Sequence, residues 1–429
     1  MGIRRLIPLF LVALVVSLIS CGTNPGSNQA MIFEDQTSVD TLTYEDVLLL
    51  KRIARLRIET SHAGQTKIEG VTLEVQVKTV GMITELLNRA EQKILGELPS
   101  GRFPWSWSGF TGPDEMADMA AGFLETLVTG KDPFAGKFAE PGGNVVDHAI
   151  IKADGHWHLF YIRGVAATNW PDFPEANFGH AVTGDLVNWK IQEPLLQTDE
   201  KEFDNYQVWA PHVIEHNGMY WMFYTGVNDS VSQAICLATS DDLHHWERYE
   251  KNPVLNSLPW GFWDESHWSD CRDPMVLKEG DTFYCYYTAT RTVPETGGHE
   301  SCMGMASSKD LIHWKDEGFQ RLVHSLTTPP ESPFVIKKDG ELYLIYTNYK
   351  HGIVYVKGSG PLHWKEDPDD PQTILQGVSA TEIFRENGRW YITMISHMDN
   401  ALRFMEIKEL IWHADGSVSA RDCEYSPKV

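Results

Sequence analysis

Apolar and polar residues follow two different patterns along the chain. Residues 44–58, 77–95 and 113–128 carry apolar side chains at helical spacing. After residue 143 the pattern changes to short segments in which aromatic and polar residues alternate, which is typical of β-strands. The chain is therefore predicted to have a small helical N-terminal region followed by an all-β domain.

The β-rich part repeats one unit five times. In each unit a turn that contains glycine introduces an aromatic strand, and the turn glycines are Gly155, Gly218, Gly280, Gly340 and Gly388. These glycines lie 63, 62, 60 and 48 residues apart. Asn-Gly and Asp-Gly pairs favour the tight turns of β-hairpins, so each copy predicts a hairpin. Five units of roughly four strands each predict a five-bladed β-propeller over residues 140–429.

A second element recurs later in the units. It reads Asp-Leu-x-x-Trp at 185–189, 242–246 and 310–314, with a weaker copy at 361–364. Tryptophans at a fixed place in a cyclic repeat cannot all face one ligand. We interpret them as packing between sheets, so their value is architectural.

The first 21 residues have the layout of an export signal, which is excluded from the fold. Two arginines precede an apolar run at 6–18, and residues 18–21 read Leu-Ile-Ser-Cys. This ending resembles a bacterial lipobox, in which Cys21 carries the lipid after cleavage; the alternative is an ordinary secretory signal with an incidental cysteine. The lipobox implies a protein of the bacterial cell envelope, attached to a membrane only through its lipid anchor. The tether and helical region then occupy residues 22–135.

Charge and cysteine content narrow the choice of ligand and of cross-links. The chain has 36 Lys and Arg against 59 Asp and Glu, a net charge of -23, which argues against a nucleic-acid partner. Five cysteines remain after Cys21, without zinc-type spacing. One or two disulfides and buried free thiols are both open, and the oligomeric state is not readable.

Candidate chemistry lies where the inner strand of each unit begins. In a propeller the inner strands line the central channel, so residues at their starts converge from distant parts of the sequence. Units one, three and four have carboxylates there, seven to nine residues before the turn glycine: Asp147, Asp273 and Glu331. Clustered carboxylates raise one another's pKa, and glycoside cleavage needs one protonated and one ionised carboxyl group.

Four short segments carry a family resemblance. Residues 147–151 (Asp-His-Ala-Ile-Ile), 209–211 (Trp-Ala-Pro), 272–274 (Arg-Asp-Pro) and 331–333 (Glu-Ser-Pro) resemble motifs of the clan that unites glycoside hydrolase families 43 and 32. That clan consists of five-bladed propeller glycosidases, and the resemblance covers about residues 140–415.

The resemblance implies roles for the three carboxylates and one arginine. Asp147 would be the general base or the nucleophile, and Glu331 the general acid. Asp273 would tune or orient the acid or hold a sugar hydroxyl, and Arg272 would bind sugar or anchor the carboxylates.

The chain departs from the family patterns at three places. His148 stands where family 43 usually has proline, and the longer Trp-x-Asn-Asp-Pro motif of family 32 is absent. Ala380 and Thr381 occupy the stretch where family 43 often has a histidine near the axis. No metal and no cofactor are therefore predicted.

Aromatic and imidazole side chains near the carboxylates are candidates for sugar binding. They are Trp209, Trp263, Trp268, His148 and His212. Trp263 and Trp268 lie in a tryptophan-rich loop just before Asp273.

The sequence thus predicts a glycosidase that acts on furanosides or pentosides. Arabinofuranosidase-, xylosidase- and fructosidase-like specificities stay open, as does the choice between retention and inversion. One alternative is a non-catalytic glycan-binding propeller, which would have no need of three carboxylates. Another is a propeller phosphorylase of the mannoside type, which would need phosphate-binding basic residues around the pocket.

Overall fold

The computed structural model of the chain describes most of both predicted regions. The described residues are 42–95, 113–131, 134, 136–140, 143–165, 175–228, 233–256, 259–262, 271–322, 329–365, 371–398 and 402–425. The lipobox Cys21 and the loop residues Trp263 and Trp268 lie outside them.

Three helices form the N-terminal region, as the apolar spacing predicts. They are α1 (Tyr44–Gln65), α2 (Leu73–Ile94) and α3 (Pro113–Val128). The Thr43 and Thr72 hydroxyls cap the first two helices by accepting backbone N–H groups of the first turn. The buried faces of the helices share one core, which extends to Phe404 of the β domain. In the described part of the chain, no helix has both the length and the apolar stretch needed to cross a membrane.

The β domain consists of five antiparallel sheets. Four of them follow chain order from the inner strand outwards. Their strands are β2 (Gly143–Ala153), β3 (His156–Val165), β4 (Phe178–Thr183) and β5 (Lys190–Ile191) in blade 1; β6 (Gln207–His216), β7 (Met219–Val227), β8 (Gln233–Ser240) and β9 (Glu247–Arg248) in blade 2; β10 (Arg272–Glu279), β11 (Thr282–Val293), β12 (Gly298–Ser308) and β13 (Trp314–Gln320) in blade 3; and β14 (Glu331–Lys338), β15 (Glu341–Asn348), β16 (Gly352–Gly360) and β17 (His363–Trp364) in blade 4. In blade 4 a further strand, β18 (Gln372–Leu375), also pairs with β16.

The fifth blade is closed by a strand from the start of the domain. It contains β19 (Val378–Glu386), β20 (Arg389–Met398), β21 (Leu402–Trp412) and β22 (Val418–Arg421), and β1 (Lys137–Phe138) pairs with β21. The inner strands contact one another in the cyclic order β2, β6, β10, β14, β19 and back to β2. The fold is therefore the predicted five-bladed propeller, with strands from both ends of the domain in the same sheet.

The repeated elements have the scaffold roles expected from the sequence. In four units the hairpin turn pairs Asp or Asn with Gly at positive φ, as in Asp154–Gly155 and Asn217–Gly218. The tryptophan rings of the second element pack against an aromatic ring of the preceding blade: Trp246 against Phe160, Trp314 against Phe223 and Trp364 against Tyr286, at 5.6–5.7 Å between ring centroids. These contacts confirm that the tryptophans pack between sheets.

The cysteines of the propeller are free thiols. Cys236, Cys271, Cys285 and Cys302 are buried and Cys423 is partly exposed. The sequence left disulfides and buried free thiols as alternatives, and the structure has free thiols.

Two blades use a glycine to seat a buried tyrosine ring. Gly179 on β4 pairs with Tyr161 on β3, and Gly304 on β12 pairs with Tyr287 on β11. A Cβ atom at either glycine would lie 2.2 Å from the tyrosine ring, which is far inside van der Waals contact. The tyrosine ring can therefore lie against the third strand of the blade only because the residue paired with it has no side chain.

Replacing Gly179 by alanine should destabilise the propeller by roughly 1–3 kcal/mol, because the buried Tyr161 ring must move to admit the methyl group. Urea unfolding followed by tryptophan fluorescence measures the change. Gly184→Ala is the matched control, since its Cβ would meet only His156, at 3.9 Å. Equal stability of the two variants would contradict the packing argument.

Two buried histidines of blade 1 make stability depend on pH. His158 Nδ1 lies 3.0 Å from His180 Nε2, and both residues are more than nine-tenths buried. Burial lowers the pKa of His158 to about 4 and that of His180 to about 3. The unfolded chain, with histidine pKa values near about 6.5, therefore takes up protons before the folded chain does.

Stability contributed by these neutral histidines should be complete above about pH 6.5 and fall as the pH drops towards 4. Urea midpoints at pH 7, 6 and 5 measure this slope. His158→Gln should make the slope shallower, whereas His363→Gln, at an exposed position, should leave it unchanged. A slope that His158→Gln does not alter would rule out this source of acid sensitivity.

Candidate functional site

Each inner strand has an irregularity near its start, and the carboxylates lie there. The pairing register shifts between Val145 and His148 in β2, and at the corresponding places in β6, β10, β14 and β19. In the last four strands one residue of this bulge has positive φ: Ala210, Asp273, Ser332 and Ala380, with φ of 44–55°. Bulges bend a strand and redirect side chains, and they are common next to active sites.

The register places the three carboxylates at successive positions of the bulge rather than at one equivalent position. Glu331 pairs with Thr347 as Arg272 pairs with Thr288, so Glu331 corresponds to Arg272. Asp273, the next residue, corresponds to Ser332. Asp147 lies one position further, where units two, three and four have proline and unit five has Thr381. The expectation of equivalent positions is therefore corrected, while the convergence of the three residues is retained.

Ser332 and Arg272 link the three carboxylates across three blades. The Ser332 backbone N–H donates to Asp273 Oδ2 at 3.2 Å, and its hydroxyl donates to Asp147 Oδ2 at 3.3 Å. The Arg272 guanidinium forms an ion pair with Glu331 and has its Nε 3.7 Å from Asp273 Oδ2. Asp147, Asp273 and Glu331 therefore form one connected group, named here the carboxylate cluster.

Buried threonines fix the backbone around Asp273. Its N–H donates to the Thr225 hydroxyl of blade 2 at 2.9 Å, and its Oδ2 accepts the Thr288 hydroxyl at 2.9 Å. The orientation of Asp273 is thus set by groups from three blades, because Ser332 of blade 4 is also a donor.

Burial and mutual repulsion shape the electrostatics of the cluster. Arg272 and Asp273 are each 5% exposed, and the Glu331 side chain is 20% exposed. Burial raises the pKa of Asp147 well above its usual range, and the charges of Asp273 and Glu331 raise it further. Burial also raises the pKa of Asp273, against the opposing effect of Arg272. The cluster therefore favours a state in which one carboxyl group keeps a proton while another is ionised.

The two histidines predicted to bind sugar, His148 and His212, are the first paired residues after the bulges of β2 and β6. His148 Nε2 is 2.7 Å from Thr393 Oγ1, and His212 contacts Glu382 Oε1 at 3.2 Å and the Val276 carbonyl at 3.3 Å. Both rings are buried against protein groups of the channel. Their role in sugar binding stays a prediction.

The structure adds residues that the sequence reasoning missed. Tyr349, in the turn after β15, donates its hydroxyl to Glu331 Oε2. Glu175, just before β4, accepts the Val208 backbone N–H at 3.0 Å through its carbonyl oxygen, and burial raises the pKa of its carboxyl group to about 7. Arg403, at the start of β21, affects the pKa of both Glu175 and Asp147. None of the three lies in a repeated motif, so the sequence offered no signal for them.

No metal centre accompanies the carboxylate cluster in the described ranges. Those residues contain no group of three histidine, cysteine, aspartate or glutamate side chains placed to hold a metal ion.

Comparison with known proteins gives similarity over part of the chain. Residues 147–297 match the model of the glycosyl hydrolases family 32 N-terminal domain, a segment that contains Asp147 and Asp273. A probable sucrose-6-phosphate hydrolase of Psychromonas ingrahamii is 31% identical over 159 residues, which are 35% of this chain and 25% of that protein. A vacuolar acid beta-fructofuranosidase of a Rosa hybrid cultivar is 31% identical over 132 residues, which are 29% of this chain and 21% of that protein. The chain thus spans about a quarter of the length of these relatives.

Solved structures of two glycosidase families share the fold. A thermostable family-43 glycoside hydrolase superposes with a TM-score of 0.54 at 19% identity, covering 67% of this chain and 96% of that one. Fructan 1-exohydrolase IIa from Cichorium intybus superposes with a TM-score of 0.53 at 19% identity, covering 67% and 60%. The predicted resemblance is thus confirmed: the chain is a five-bladed propeller of the kind found in family 32 and family 43 glycosidases, and its residues 147–297 match the family 32 N-terminal domain.

Proposed function

We propose that the chain is a glycoside hydrolase that cleaves β-fructofuranosides at the carboxylate cluster. The observation that carries the proposal is the linkage of Asp147, Asp273 and Glu331, from three blades, through Ser332 and Arg272. The family 32 match and the fructoside-cleaving relatives support fructofuranosides over pentosides.

The proposed chemistry divides the work between two carboxyl groups. Glu331 gives its proton to the glycosidic oxygen as the bond to the anomeric carbon breaks, and Asp147 supplies the opposing carboxylate. Asp147 has one of two roles: it bonds to the anomeric carbon, or it takes a proton from the attacking water. In both routes water finally adds to the anomeric carbon, and a proton of that water restores the protonated form of Glu331. The two routes differ in the anomer of the released sugar.

Asp273 fits a role in holding the substrate. Its hydrogen bonds with Ser332 and Thr288 go to Oδ2. In our proposal Oδ1 accepts a sugar hydroxyl, and this bond strengthens as charge develops on the ring. Arg272 orients Glu331 and keeps three mutually repelling carboxylates together.

Two other functions compete with hydrolysis. A glycan-binding propeller would gain nothing from carboxylates that raise one another's pKa at a cost in folding free energy. A phosphorylase would need cations free to bind phosphate, whereas Arg272 is already paired with Glu331. Measuring sugar release with and without phosphate distinguishes hydrolysis from both of these functions.

The detergent-solubilised full chain should release fructose from sucrose or 1-kestose without added phosphate. Glu331→Gln and Asp147→Asn should each lower kcat by about 10³-fold or more, because each removes a proton donor or a carboxylate that acts in the transition state. Glu341→Gln, an exposed glutamate of the same blade as Glu331, is the matched control and should retain activity. Proton NMR of the first-formed anomer distinguishes retention from inversion.

Each competing function has its own signature in this assay. Release of sugar only from arabinofuranosides or xylosides would show that the enzyme acts on these glycosides and not on fructofuranosides. Release that requires phosphate would indicate a phosphorylase. Glycan binding with no more sugar released than by Glu331→Gln would leave a binding protein.

We also propose that Cys21 carries a lipid anchor that places the propeller on the bacterial cell envelope. The support is the lipobox-like sequence at 18–21, followed by a glycine- and serine-containing tether. Cys21→Ser should abolish incorporation of a labelled fatty acid and move the protein from the membrane to the soluble fraction, whereas Cys423→Ser should change neither. Unchanged membrane association of Cys21→Ser would contradict the anchor.

A further inference from the structure

Tyr349 contacts the proposed acid from the solvent side. Its hydroxyl donates to Glu331 Oε2, and the Arg272 guanidinium donates to Glu331 Oε1. Exposure increases along this series of contacts: Arg272 is 5% exposed, the Glu331 side chain 20% and Tyr349 61%. Glu331 is therefore bonded on one side to a buried cation and on the other to an aromatic residue that is open to solvent.

The turn that carries Tyr349 is held at both of its ends. The side chain of the buried Asn348 accepts the backbone N–H of Lys350 through Oδ1 at 3.0 Å. Gly352 follows at a φ of 82°, where a Cβ atom would overlap the carbonyl oxygen of Leu375. The backbone thus fixes the point from which the exposed Tyr349 side chain projects.

The two contacts give the two carboxyl oxygens of Glu331 different tasks. A guanidinium group has donors only, so Arg272 favours Oε1 as an acceptor. A tyrosine hydroxyl can both donate and accept, so the proton of the acid form belongs on Oε2. That single proton can be donated to one partner at a time. The Tyr349 hydroxyl therefore lies at the oxygen that the glycosidic oxygen must reach.

The same hydroxyl favours the ionised form of Glu331 in the chain without substrate. A hydrogen bond donated to a carboxylate stabilises its charge. When a glycosidic oxygen takes the place of the Tyr349 hydroxyl, Glu331 loses this donor, and its protonated form gains in relative stability. Arrival of the substrate would thereby favour the proton on the group that must donate it.

We propose that Tyr349 is the residue that contacts the leaving sugar: its hydroxyl bonds with Glu331 Oε2 until substrate arrives and then gives way to the glycosidic oxygen, and its exposed ring lies against the leaving sugar. An aromatic ring packs on the C–H groups of a sugar without needing a charge there, so the leaving group that fits is an uncharged sugar. The inference rests on the proposed function, because a leaving sugar exists only if the chain cleaves glycosides.

Two pH profiles of fructoside cleavage test the exchange at Oε2. The basic limb of kcat/KM reports ionisation of the acid in the free enzyme, and that of kcat reports it in the substrate complex. Tyr349→Phe removes the donor, so Glu331 keeps its proton to higher pH and the kcat/KM limb should move up by roughly half a unit or more. The kcat limb should stay in place, because the hydroxyl has already left Oε2 in the complex.

The controls separate this exchange from a structural role. The other charged groups that act on Glu331 are Asp147 of β2 and Arg272 and Asp273 of β10, and Tyr349→Phe changes none of them. Tyr44→Phe makes the same change at an exposed tyrosine of α1 and should leave both limbs in place. Equal movement of both limbs would mean that the hydroxyl stays on Glu331 and would overturn the exchange. Two unmoved limbs, the result of a purely structural role, would also overturn it.

The ring contact is tested by the KM for sucrose. Tyr349→Phe keeps the ring and should not raise KM by more than about twofold, whereas Tyr349→Ala should raise it roughly tenfold, because the leaving sugar loses an apolar surface. Equal KM values for the two variants would overturn this part.

A measurement without substrate keeps this inference distinct from the proposed function. In the full chain labelled with ¹³C at tyrosine Cζ, the Tyr349 resonance, assigned by its loss in Tyr349→Phe, should shift with pH below about pH 8, where tyrosine itself does not ionise. Glu331→Gln should abolish this shift. If it does so but no fructoside is cleaved, the proposed function fails and the hydrogen bond between Tyr349 and Glu331 stands. A resonance that does not respond to pH, or that titrates equally in Glu331→Gln, overturns the proposal.

Discussion

The hydrogen bonds that join the inner-strand bulges to neighbouring blades are the constraint on which the site depends. A bulge leaves a buried backbone N–H without a partner in its own sheet, and such groups must be paired elsewhere. The Thr225 hydroxyl accepts the N–H of Asp273 from the next blade, and the Thr347 hydroxyl accepts that of Ala380. Blades 2 and 4 thereby fix the starts of the inner strands that follow them, β10 and β19.

One of these links uses a carboxylate in place of a hydroxyl. The N–H of Ser332 donates to Asp273 Oδ2, and Thr288 donates to that same oxygen. Asp273 is thus a structural partner of blade 4 and a member of the carboxylate cluster at once. Its loss would free a buried N–H as well as remove a charge, so catalytic and structural effects of changing it cannot be separated by activity alone.

Local signals made the scaffold predictable, and tertiary contacts made part of the site unpredictable. The turn glycines allow tight hairpin turns and the Trp elements pack between sheets, so both can be recognised within a single unit. Their repetition along the chain identified the propeller. Counting back from the turn glycine misaligned unit three with unit four by one position, because Gly280 is the first turn residue of unit three whereas Gly340 is the second in unit four. Glu175 and Tyr349 reach their places in the structure only through contacts between distant segments, with Val208 and Glu331 respectively.

The balance of charge explains how one site can hold both an acid and a base. Four carboxyl groups, those of Asp147, Asp273, Glu331 and Glu175, interact with two guanidinium groups, those of Arg272 and Arg403. If all four were ionised in this buried space, the excess negative charge would cost folding free energy. Retained protons relieve that cost, so the folded protein itself favours a mixed protonation state. Glycoside cleavage also needs a retained proton, but it needs that proton on Glu331, whereas burial and repulsion raise the pKa of Asp147 and so favour the proton there in the chain without substrate.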